Sequence, residues 1–82
     1  MGLAPEQCRA ARGWLGLTQD DLAQRARVSL STVRDFEAGR RRPIGNNLTA
    51  IEQVFASEGV AFQFDGDRPV GLTIQGKATP ES

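Results

Sequence analysis

Eighty-two residues carrying ten basic and ten acidic side chains make one small domain with zero net charge, too small for a deep catalytic cleft. With no histidine, no tyrosine and a single cysteine, Cys8, it offers no metal-ligand cluster, no disulfide framework and no imidazole for acid–base work. No run nears the roughly 20 apolar residues that span a bilayer and no signal stretch opens the chain, so a cytoplasmic location is expected.

Residues 1–4 read as a short frayed lead. Pro5 suits the first turn of a helix running to about Leu15, with Glu6 near its positive end and Gly16 ending it. Cys8, Ala11 and Leu15 share one face, so Cys8 reads as a small apolar core residue rather than a redox group. Trp14 reads as a core-edge residue. Thr18 can cap a second helix over 19–26, with Asp21 three residues on as an acidic capping box. Leu22, Ala23 and Ala26 form its inward face, and Ala23 is small enough to let another helix pass close by. After a break at Arg27-Val28, Ser29 can cap a third helix over 30–38, with Val33 and Phe36 inward, Val28 plugging the corner and Gly39 as the stop.

A basic loop follows, Gly39 to Gly45, containing Arg40, Arg41, Arg42 and Pro43. Asn46 or Asn47 can cap a fourth helix whose stripe Leu48, Ile51, Val54 and Phe55 closes the core, and Gly59 ends it. The period then changes from 3.6 to 2. Val60, Phe62 and Phe64 alternate with polar or small residues, as do Val70, Leu72 and Ile74, predicting a β-hairpin joined by the loop Asp65 to Pro69. Its apolar face must pack on something, because a two-stranded hairpin is only marginally stable alone. Either its own helices or the same hairpin of a second copy could cover it; the second is favoured, making these six residues a dimerisation element.

The pattern Arg12, Leu15, Leu17-Thr18-Gln19, Leu22-Ala23, Ala26, Val28-Ser29, Thr32-Val33, Phe36-Glu37, Gly39, Pro43, Leu48 and Ile51 resembles the Cro/repressor-type helix-turn-helix family, also called xenobiotic-response-element regulators. The resemblance spans about residues 6–62. It implies a mainly α fold, a four-helix repressor-like DNA-binding domain over 5–59; alternation and composition add a C-terminal β-hairpin over 60–75 and a disordered polar tail over 76–82. One departure is Arg27, where the family often has glycine; a left-handed conformation there would cost about 1 kcal/mol. The charge distribution agrees with a DNA-reading first half. Residues 1–42 hold eight arginines against five acids, net +3, and residues 43–82 hold two bases against five acids, net −3.

Leu30, Ser31, Thr32 and Arg34, at the exposed start of the third helix, are the base-edge candidates. Arg34 can form two hydrogen bonds to a guanine edge, or instead an ion pair or a phosphate contact. Phosphate candidates are Gln19 at the start of the second helix, the cap Ser29, the run Arg40, Arg41 and Arg42, and Asn46. By resemblance, Arg12 and Glu37 form a structural ion pair joining the first and third helices. The implied function is sequence-specific binding of double-stranded DNA by a homodimeric transcription regulator of bacterial or phage type, nucleoid-associated, without catalysis, metal or cofactor. The alternative is an antitoxin or adaptor whose hairpin holds a partner protein, with DNA binding secondary.

Overall fold

The computed structural model describes residues 2–75. Four helices precede an antiparallel hairpin: α1 (Pro5–Leu15), α2 (Gln19–Ala26), α3 (Leu30–Glu37), α4 (Gly45–Ser57), β1 (Val60–Asp65) and β2 (Arg68–Ile74). No helix is long and apolar enough to cross a membrane. The expected tail, 76–82, lies outside the described residues.

Local chemistry accounts for the helix ends. The Thr18 hydroxyl accepts from the Asp21 amide at 2.9 Å and the Asp21 carboxylate accepts from the Thr18 amide at 2.9 Å, a reciprocal cap. The Ser29 hydroxyl accepts from the Thr32 amide at 3.1 Å. Gly16 closes α1 in the left-handed region at φ 71°, and Arg27 takes the same region at φ 59° to end α2. The expected strain at Arg27 is therefore present.

The start of α4 differs from expectation. Ile44 occupies the cap position without a side-chain bond, and Asn46 and Asn47 lie inside the first turn. The amide of Leu48, the first apolar residue of the stripe, bonds the Ile44 carbonyl at 3.0 Å, which requires the helix to begin a full turn earlier.

The core joins Leu3, Cys8 and Ala11 to Leu22, Ala23 and Ala26 of α2, Val33 and Phe36 of α3, and Leu48, Ile51, Val54 and Phe55 of α4. Leu3 corrects the reading of residues 1–4 as a frayed lead: it is 1% exposed. Its side chain is apolar and large enough to fill a gap in a core this small, which outweighs the cost of ordering two residues. Trp14 corrects in the other direction, standing 69% exposed on the outer side of α1.

The hairpin folds back on its own helices. Phe62, Leu72 and Ile74 pack against the core, Val60 is buried within it, and Phe62 meets the edge of Phe55 with ring centroids 5.6 Å apart. The apolar face expected to meet a second copy is thus packed in part in cis, with Phe62, Phe64, Leu72 and Ile74 each remaining partly exposed. Gln7, itself buried, locks this arrangement by donating from Nε2 to the Gln63 carbonyl at 3.1 Å and the Gly71 carbonyl at 2.9 Å. These two carbonyls flank an irregularity: Gln63 pairs with Gly71 but Phe64 with Pro69, so Val70 is an extra residue, a β-bulge. Val70 consequently leaves the apolar face and is 55% exposed, while Pro69 takes the place opposite Phe64. The connection is also tighter than the expected Asp65–Pro69 loop. Asp65 pairs with Arg68 across Gly66 and Asp67, with Gly66 at φ 64°.

Candidate nucleic-acid interface

The angle between α2 and α3 is held from beneath by Glu37. Arg12 grips its carboxylate with two atoms, Nε to Oε2 at 2.9 Å and Nη2 to Oε1 at 2.8 Å, so the ion pair implied by the resemblance is present. Gln19 Nε2 donates to Oε1 at 3.1 Å and the Cys8 thiol to Oε2 at 3.1 Å, while Arg9 Nη1 donates to the Glu37 carbonyl. Burial works to raise the Glu37 carboxyl, but bonds from Arg12, Gln19 and Cys8 outweigh it and hold the group below the usual range. Burial, then contact with Glu37, pushes the Cys8 thiol up, so it stays protonated and donates. Neither the Cys8 nor the Gln19 contact was legible in the chain, since each partner lies more than fifteen positions away from Glu37.

The side-chain amide of Gln19, at the start of α2, is engaged by Glu37. Along α3, Ser31 and Arg34 are exposed, and Arg34 has no side-chain partner among the described residues. Thr32 is half-buried, its hydroxyl 2.8 Å from that of Ser29, which also meets Ser31 at 3.1 Å. Leu30 packs partly against the core, which leaves it less free to face a ligand than the sequence suggests.

A cleft of about 290 Å³ opens beside this face, lined by Ser31, Thr32 and Asp35 of α3, Arg41, Arg42 and Pro43 of the loop, and Ile44 and Asn47 at the entry of α4. Two polar residues there, Asp35 and Asn47, were not among the candidates read from the sequence. Asp35 lies one turn from Ser31, a spacing that could have revealed it, and pairs with Arg40 at 3.4 Å. Asn47 lines the cleft; Asn46, the candidate, does not.

The three arginines divide. Arg40 pairs with Asp35, Arg41 has no side-chain partner among the described residues, and Arg42 donates to the Leu3 carbonyl at 3.3 Å with its guanidinium 6.0 Å from the Phe36 ring centre. The loop carrying them is turned by a left-handed Gly39, at φ 75°, and by amides of Arg40 and Arg41 bonding the Asp35 carbonyl at 2.9 and 3.3 Å.

Two short helices locked at an angle, with an exposed helix edge beside a basic loop, are what a helix-turn-helix unit requires. A helix-turn-helix family model matches residues 9–59, from within α1 to Gly59. No curated protein matches the chain. The chain belongs to the Cro/C1-type helix-turn-helix family of DNA-binding transcription regulators.

Proposed function

We propose that the protein binds duplex DNA sequence-specifically as a homodimer, α3 reading base edges in the major groove and the arginine loop gripping the flanking backbone. The observation that carries this reading is the exposed Arg34, without a side-chain partner among the described residues, on the helix whose Ser31 and Thr32 share a cleft with Arg41 and Arg42. A guanidinium so placed has both bidentate donors free for a guanine edge. The phosphate contacts supply affinity and salt sensitivity, and α3 supplies sequence choice. Two copies would occupy half-sites about 34 Å apart, or a multiple of it. Since the inner hairpin face packs in part on its own core, pairing through the hairpin would draw on its free edges and the exposed Val70. Selection from a random duplex library, with a sizing measurement on the same protein, tests both parts. Enrichment of a two-fold related motif by a dimer is the expected result. Recovery of unbiased sequence would overturn specific recognition, and a monomer on a single half-site would overturn the dimer.

A further inference from the structure

The segment Gly2–Leu3 is built into the basic loop. The Leu3 amide donates to Glu52 Oε2 of α4 at 3.0 Å, while the Leu3 carbonyl accepts from Arg42 Nη1 at 3.3 Å. Backbone groups on both sides of one buried residue thus join α4 to the arginine loop. Arg42 is held from a second direction by the face of Phe36, a core residue of α3. Its neighbours differ, because Arg40 meets only an exposed carboxylate and Arg41 no described side chain.

Given the DNA-binding reading above, we propose that the Gly2–Leu3 strap positions Arg42, presenting its guanidinium at the cleft beside α3 to grip a DNA phosphate. An arginine already fixed by a carbonyl and a ring loses less rotamer freedom on contact than one swinging in solvent. Four of its five N–H groups remain after the bond to Leu3. Arg42 lines the same cleft as Ser31, Thr32 and Arg41, so a phosphate gripped there lies against the reading helix.

Gly2 makes the strap testable. A Cβ at this position would stand 2.9 Å from Arg42 Nη2, 3.2 Å from Glu52 Oε2 and 3.3 Å from Leu48 Cδ2. The closest of these atoms ends a flexible side chain, so a substituent there displaces the guanidinium most, while Glu52 and the core residue Leu48 need give only a few tenths of an ångström to a single Cβ. A purely structural Arg42 would leave the number of ions released on DNA binding unchanged; an Arg42 on a phosphate would not.

The experiment measures association of the full chain with a random-sequence duplex across a salt series, for wild type, Gly2→Ala, Gly2→Val, Arg42→Ala and the Gly2→Val/Arg42→Ala double variant. Far-UV circular dichroism and urea midpoints report folding. Arg42→Ala is expected to lower the slope of log K against log salt by about 0.9. Gly2→Val should give the same fall, Gly2→Ala a smaller one, and the double variant no more than Arg42→Ala alone. A folded Gly2→Val with wild-type slope, or a loss that accumulates in the double variant, overturns the proposal. Should Gly2→Val fail to fold, Gly2→Ala decides by the same criterion. Wild-type protein that binds no duplex overturns the DNA-binding reading and this proposal together, whereas wild-type binding with indifferent Gly2 variants overturns the strap alone.

Discussion

The Glu37 carboxylate is almost wholly buried and still ionised, because Arg12 meets it with two nitrogens while Gln19 and Cys8 each add a donor. The consequence for acid stability follows from linkage. The folded carboxyl titrates below its unfolded value of 4.5, so its contribution is complete above that value and drains away as pH falls through the folded one. In Glu37→Gln this acid-dependent component should disappear, leaving a flatter plot of urea midpoint against pH in the acid range, at lower overall stability. Arg27 is the other residue with a measurable balance. Its left-handed backbone carries a steric cost that glycine does not, and Arg27→Gly should raise stability by about 0.5–1 kcal/mol, seen as a higher urea midpoint at unchanged m-value. The family resemblance anticipated that strain, because Arg27 stands where glycine is often found. The sequence reading missed the buried Leu3 because a lone leucine ahead of a proline has no periodicity to betray it.

At the scale of elements, α3 and the loop after it divide the labour of recognition. Arg34→Ala should relax base preference at one position, by about 1–3 kcal/mol, in competition binding against single-base variants of the selected site. Arg41→Ala should weaken all sequences alike and lower the salt slope by about 1, since it has no scaffold partner among the described residues and faces the cleft. The hairpin depends on a different residue. Gln7→Ala leaves the Gln63 and Gly71 carbonyls without their donor and should cost about 1–3 kcal/mol, with hydrogen exchange speeding in β1 and β2 before the helices. The helices were legible because caps and apolar spacing act within a few residues. The bulge at Val70 was not, because alternation continues through the letters while the extra residue depends on pairing with the other strand.

Across the whole molecule, the net positive half holds the reading helix and the net negative half holds all of α4 and the hairpin. A phosphate surface therefore orients the molecule as well as attracting it. The homodimer proposed here links pairing to stability by mass action, so the thermal midpoint of the free protein should rise with concentration; a midpoint constant over a hundredfold dilution would mark a monomer. Val70→Asp is expected to weaken pairing if the outer hairpin is the contact surface, with little effect on the helical fold, since Val70 is already solvent-facing.

By itself the chain determined its four helices, the caps of α2 and α3, the inward faces, the family pattern and the Arg12–Glu37 pair implied by it, but not the cap of α4. All of these rest on interactions between near neighbours or on a pattern carried residue by residue. Only the tertiary structure decided that the hairpin's apolar face lies against its own helices, that Gly2–Leu3 closes over Arg42, and that Gln19 and Cys8 share the Glu37 carboxylate. Each of those outcomes depends on which distant surfaces meet, and competing partners for an apolar strand or a polar side chain are separated by packing geometry that no local spacing encodes.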